Sequence, residues 1–171
     1  MHDEITIERI ITFHPDYRDE LRADYLECNN KLPKGVRLRF SYVYRTDEEQ
    51  DELYALGRTV VNPKGRSAKR PMGYKVTNAK AGQSDHNYGL AFDIVILFDL
   101  DGNGTFETAS WKQDKYFKIV VDFFKSKGYT WGGDWSRFID KPHFQKNYTW
   151  EELQKLPKFK DELTGIYYPI L

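Results

Sequence analysis

The sequence predicts an α+β fold in a single domain. Three observations lead there. At 171 residues the chain suits one domain that can bury a reasonable core. Segments with apolar residues at helical spacing stand apart from one segment that alternates and another that is continuously apolar, the two patterns of strands. No repeat, linker or shift in composition divides the chain, so residues 1–171 read as one unit.

From Pro15 to about Asn30, Tyr17, Leu21, Tyr25 and Leu26 fall at helical spacing, and Pro15 suits a first turn. Pro33 and Gly35 break the chain, and Val36 to Tyr44 then alternates as a strand with one buried face. Thr46 and Glu49 form a capping box, and Gly57 is a natural stop, which predicts a helix over Asp47–Leu56. Arg58 to Gln83 is rich in Gly, Pro, Ser and Lys and reads as a long loop, a type that is usually functional or disordered. Leu90 to Phe98 is a buried strand. Trp111 to Lys127 is a helix stopped by Gly128, followed by short strands near Tyr129–Trp131 and His143–Gln145. A second capping box, Thr149 with Glu152, opens a short final helix before the tail.

Composition excludes several classes. Acidic and basic residues balance at 26 each, so net charge does not suggest a nucleic-acid binder. No apolar run approaches the roughly 20 residues of a membrane span, and Met1-His2-Asp3-Glu4 lacks the basic start and apolar core of a secretory signal. Synthesis in the cytoplasm, no membrane insertion and a monomer are expected. Cys28 is the single cysteine, lies among polar neighbours and reads as a structural or surface thiol. His2 and His14, at a flexible terminus and before a proline, read as bland.

The chemistry starts at Asp93. On its strand it shares a face with Ala91, Val95 and Leu97, and a buried carboxylate there requires a cation. An arginine could supply one. So could a metal shared with His86, because Gly89 lets the backbone bend sharply between the two residues. Pro142 restricts the approach to His143. Two histidines and one carboxylate leave zinc an open fourth position for water, the arrangement of a hydrolytic site. Asp140, three residues before His143, is placed to act as a base beside such a metal.

The run Ser84-x-His86-x-x-Gly89-x-Ala91-x-Asp93, followed by Asp140-x-Pro142-His143-Phe144, resembles the M15 family of zinc peptidases. Tyr44-Arg45-Thr46, Glu49-Gln50, Leu53-Tyr54 and Gly57-Arg58 are similar to a run of its L-alanyl-D-glutamate endopeptidase branch, and Trp131-Gly132-Gly133-Asp134-Trp135 fits the same branch. Together the matches cover about residues 14–147, in the family's order. The resemblance implies a small antiparallel sheet flanked by helices, zinc held by His86, Asp93 and His143, and Asp140 as general base. It implies that Arg45 polarises the scissile carbonyl or binds substrate, as suits a guanidinium, against the plainer reading of a strand-end ion pair. Ser84 would support the site through a hydrogen bond. The implied partner is a peptidoglycan stem peptide. The implied reaction is hydrolysis of its L-alanyl-D-glutamate bond, with a D-alanyl-D-alanine carboxypeptidase or dipeptidase, or a silent wall-binding domain, as alternatives. A phage endolysin released onto the wall is the implied setting, and a bacterial wall enzyme exported by another route stays open.

Two weaker signals remain. Arg58 to Lys80 carries seven cations and no acid, which suits either a mobile basic flap for an anionic polymer or a merely solvated loop. Asp99 to Glu107 resembles the opening of a calcium loop, with oxygen ligands at alternate positions and Gly104 at the sixth. Ser110 stands where the closing glutamate belongs, and an Asn-Gly hairpin accounts for the same residues.

Overall fold

The computed structural model describes residues 2–171. Helix α1 (Glu4–Ile10) and α2 (Pro15–Asn30) precede strand β1 (Val36–Tyr42) and helix α3 (Asp47–Ala55). After the long loop come β2 (Ala91–Phe98), β3 (Thr108–Ser110), α4 (Lys115–Ser126), β4 (Thr130–Trp131), β5 (His143–Gln145) and α5 (Trp150–Leu153). A hairpin of β6 (Lys158–Lys160) and β7 (Tyr167–Pro169) ends the chain.

The main sheet is antiparallel, in the order β1-β2-β5-β4. Strand β2 is its centre. One edge pairs with β1; the other is shared between β5, at Ala91–Asp93, and β3, at Ile96–Phe98. Alternation then divides the chemistry. Phe92, Ile94 and Ile96 point into the core with Leu38, Phe40 and Phe144, and the apolar side of α4 packs on them through Phe117, Val120 and Phe124. Phe40, Phe92 and Phe144 form a stacked file, with centroids 4.4 and 5.4 Å apart. Asp93 and His143 are direct cross-strand partners on the opposite face. The register of β1 slips between Phe40 and Tyr42, opposite Asp93. Such a bulge is a common way to re-aim side chains beside a site.

Segments near both ends of the described chain are tied down. Asp3 caps α1 and makes a paired ion contact with Arg39 of β1 at 2.7 and 2.9 Å. His14 is fully buried and caps α2, its Nδ1 accepting the Asp16 amide and its Nε2 donating to the Pro169 carbonyl. Cys28 is buried too, because Leu21, Tyr25 and Cys28 share the inner face of α2, and burial pushes its thiol up to about 12. The predicted helix over 111–127 starts later, where Asp114 accepts the amides of Tyr116 and Phe117.

The loop over 58–83 is pinned rather than free. Gln50 Nε2 donates to the Ala79 carbonyl, Asp51 accepts the Ala81 amide, and Arg58 reaches Tyr54 and Asn78.

Candidate metal centre

His86 sits in a single 3₁₀ turn, Asp85–Tyr88, that ends at Gly89 with φ +65°. A side chain at 89 would be strained and would also strike Tyr168 and the Thr12 carbonyl, so glycine meets two demands there. The turn delivers His86 over the end of β2, where Asp93 is the partly exposed member of a face whose other residues, Ala91, Val95 and Leu97, are buried. His143 arrives from β5, opposite Asp93. Its approach depends on Gly132, since a Cβ there would lie 2.3 Å from the Asp140 carbonyl oxygen. Trp131 Nε1 donates to the Lys141 carbonyl and braces the same loop.

The three side chains converge on one point. His86 Nε2, His143 Nδ1 and Asp93 Oδ1 form a triangle with all three edges 3.2 Å. His86 Nδ1 donates to the Val43 carbonyl at 2.6 Å, which leaves Nε2 bare in the neutral ring. His143 Nε2 pairs with Gln145 Oε1 at 2.9 Å, which turns Nδ1 inward in the same way. Two ring lone pairs and a carboxylate oxygen therefore face one another, an arrangement that calls for a cation. Tetrahedral zinc with bonds of about 2.0–2.2 Å spaces its ligands by about 3.3–3.6 Å. The donor set and its spacing fit zinc. Outer hydrogen bonds to Val43 and Gln145 fix ring orientation, as second partners do in metal sites.

Electrostatics agree with the geometry. Burial works against ionisation of Asp93, but His86 and His143 outweigh it and hold its carboxyl well below the usual range. Burial disfavours the charged form of His143, and its bond to Asp93 more than compensates, raising it. Asp140 lines the same cleft, and no group among the described residues donates a hydrogen bond to its carboxylate. Burial, then the charge of Asp93, raises it above the ordinary carboxylate value. An unbonded, half-buried carboxylate with a raised pKa is suited to taking a proton.

Arg45 is nearly buried beside the triangle. Its Nη2 lies 3.7 Å from Asp93 Oδ2 and its Nη1 donates to Gln50 Oε1 at 2.9 Å. Its Nε has no hydrogen-bond partner among the described residues. Asp93 therefore faces the arginine at one oxygen and the candidate metal position at the other. Asp134 turns away to Lys125. Ser84 lines the cleft, but among the described residues its hydroxyl makes no hydrogen bond, contrary to expectation. Gln145, Gln50 and the Val43 carbonyl are the supporting groups to which the sequence assigned no role; Gln145 carried a signal, two residues from His143 on one strand face, and Gln50 lay within the Glu49-Gln50 run.

The cleft has a volume of about 960 Å³, open to solvent, with the triangle on its floor. Val76 to Ala79 of the long loop form one wall, and only Lys64 of that loop's cations reaches it. Phe138 lines the cleft from a left-handed backbone, φ 51°, with its ring half exposed.

Residues 77–146, which span this floor, match a family model described as an M15 peptidase, D-alanyl-D-alanine carboxypeptidase. This stretch of the chain is thus similar to the M15 peptidase family. It is 37% identical over 120 residues to the peptidoglycan L-alanyl-D-glutamate endopeptidase CwlK of Bacillus subtilis, covering 66% of this chain and 62% of that one. It is 39% identical over 74 residues to the L-alanyl-D-glutamate peptidase of Listeria phage A118, covering 42% of this chain and 25% of the phage protein. The chain thus spans less than two thirds of the length of either relative. The crystal structure of the Serratia marcescens L-Ala D-Glu endopeptidase ChiX superposes with a TM-score of 0.53 at 22% identity, over 83% of this chain and 86% of that one, and shows a shared fold.

The loop over 99–107 gives a different picture. Asp99, Asp101 and Glu107 gather their oxygens, but Asp99 spends both of its own on the amides of Gly102 and Gly104, and Asp101 bonds Asn103. Nothing in the matched relatives' descriptions supports calcium there.

Proposed function

We propose that this protein is a zinc metallopeptidase that hydrolyses the L-alanyl-D-glutamate bond of peptidoglycan stem peptides. One observation carries the reading: three inward lone pairs 3.2 Å apart, with an unbonded carboxylate beside them, on the floor of an open cleft. Zinc held by His86, Asp93 and His143 would supply a Lewis acid for the scissile carbonyl and make water acidic enough to attack near neutral pH. Asp140 takes the proton of the attacking water and returns it to the leaving amine. Arg45, fixed by Gln50, turns its guanidinium toward the carbonyl oxygen as charge develops there. The relatives' named activity, from a bacterium and from a phage, supports the bond assigned.

The setting that goes with this reading is the cell wall, reached by a monomer made in the cytoplasm and then released or exported. Among the described residues no helix is long and apolar enough to cross a membrane. The family model's own description favours a second reading, a D-alanyl-D-alanine carboxypeptidase on the same metal. Incubation with defined muropeptides separates the two. A new glutamate N-terminus is expected; release of free D-alanine would establish the carboxypeptidase, and no turnover by zinc-loaded protein would leave a binding domain.

A further inference from the structure

Asp85 opens the turn that carries His86, lines the catalytic cleft, and is 6% exposed. Its Oδ2 is buried with no hydrogen-bond partner, and no salt bridge reaches the residue among the described residues. A buried carboxylate without a donor is costly, by several kcal/mol in general, so its occurrence in a cleft wall points to a partner that the protein alone does not supply. The neighbours along that wall define the partner's chemistry. Tyr148, Trp150 and Glu151 line the same cleft, following directly on β5. Two aromatic rings and two acids favour a cation, through ring faces and charge together. Among the described residues no lysine or arginine forms a salt bridge with Asp85 or Glu151. Lys146, the nearest along the chain, is held by Glu20 and stacks over Tyr17 and Tyr129. The cations that line the cleft, Arg45 and Lys64, belong to other elements, so its walls are charged with opposite signs.

We propose that Asp85, backed by Glu151 and faced by Tyr148 and Trp150, forms a subsite for a primary ammonium group of the stem peptide. The inference rests on the endopeptidase reading and adds a determinant of substrate choice. Two sources carry that chemistry: the free α-ammonium of an unsubstituted L-alanine, and the side-chain ammonium of a diamino residue following D-glutamate.

Four synthetic peptides containing L-alanyl-γ-D-glutamate distinguish the sources, with the N-terminus free or acetylated and the third residue lysine or norleucine. The zinc-loaded protein should lose about tenfold or more in kcat/KM, mostly through KM, when the recognised ammonium is removed. Asp85→Asn should cleave the ammonium-bearing and ammonium-lacking members of that pair nearly alike, with unchanged zinc content. Glu151→Gln, an exposed change, should narrow the discrimination in the same direction, and serves if Asp85→Asn does not fold. Sensitivity to acetylation assigns the α-ammonium, and sensitivity to norleucine the side chain. Equal cleavage of all four peptides by the unaltered protein overturns the subsite and leaves the endopeptidase reading standing. Full discrimination retained in a folded Asp85→Asn protein also overturns it. Cleavage of none overturns both.

Discussion

Among the described residues, two places bring three potential metal ligands within 4.8 Å, and only one of them is built as a metal centre. The group His86, Asp93 and His143 is built on paired strands and a pinned turn, with its outward ring nitrogens bonded to Val43 and Gln145 and its inward atoms unspent. The group Asp99, Asp101 and Glu107 lies in a largely exposed loop, where Asp99 and Asp101 accept the loop's own amides and Glu107 the Thr105 hydroxyl. Proximity is common to both. What separates them is whether the lone pairs are left without a donor by the fold, which then has to be answered by an ion. His14 sharpens the point: it is as buried as the ligands, yet both its nitrogens are satisfied by protein and it has nothing left to give.

The contrast breaks most plainly at the metal. Plasma mass spectrometry should find one zinc per chain, lost with all activity in His86→Ala, Asp93→Ala or His143→Ala, and unchanged in Asp101→Ala. Full zinc in His143→Ala would remove that residue from the ligand set. Next in size, Asp140→Asn should keep zinc and stability while wall hydrolysis falls at least about a hundredfold, the lower end for a lost general base. Zinc loss there would make Asp140 a ligand. Arg45→Ala should retain zinc and fall about a hundredfold in kcat; a near-normal rate would reduce Arg45 to an ion-pair partner of Asp93.

Smaller effects test the satisfied groups. Burial lowers the pKa of His14 in the fold, more than its bond to Pro169 and the charge of Asp16 raise it. The unfolded chain therefore takes up a proton first as pH drops below about 6.5, and stability should decline from there until the folded histidine titrates as well. Urea unfolding at pH 7 and 5 should show a steeper loss in the parent than in His14→Gln; equal slopes would mean that His14 is charged in the fold. Smallest of all, calcium at about 1 mM should stabilise the protein by no more than about 0.4 kcal/mol, the value for a half-filled site. A larger rise in melting temperature, abolished by Asp101→Ala, would turn the loop into a real calcium site.

Much of the site was readable before the fold was known, because its ligands have residue types and spacings that chemistry restricts. Asp93 stood out as a charge on an apolar strand, and Gly89 and Pro142 marked the bends that bring the histidines to it. Val43 left no trace, since a backbone carbonyl can belong to any residue. Gln50 sat in view within the Glu49-Gln50 motif, but its bond to Arg45 crosses from a helix to the end of a strand. Helix α2 was legible to both boundaries through Pro15 and Pro33. Helix α1 was not: two turns are too short to form by propensity, and it is held by the Asp3–Arg39 contact with β1. The β6–β7 hairpin escaped for a similar reason, its three-residue strands being fixed by tertiary contacts of Tyr168 and Pro169 rather than by any local pattern.

Those last contacts bear on the order of assembly. Tyr168 donates to the Thr12 carbonyl, 156 positions away, and rests against Gly89; the amide of His14 bonds the Gly89 carbonyl. The first and last portions of the chain thus meet on the residue that follows the His86 turn. Closing so wide a loop is an entropic expense met only when nearly all the rest is in place. Ion capture should therefore come late in folding, after the chain through Tyr168 has docked on Thr12 and Gly89. A chain stopped before Tyr168 would have its ligands in the correct sequence and its first ligand's turn unclamped.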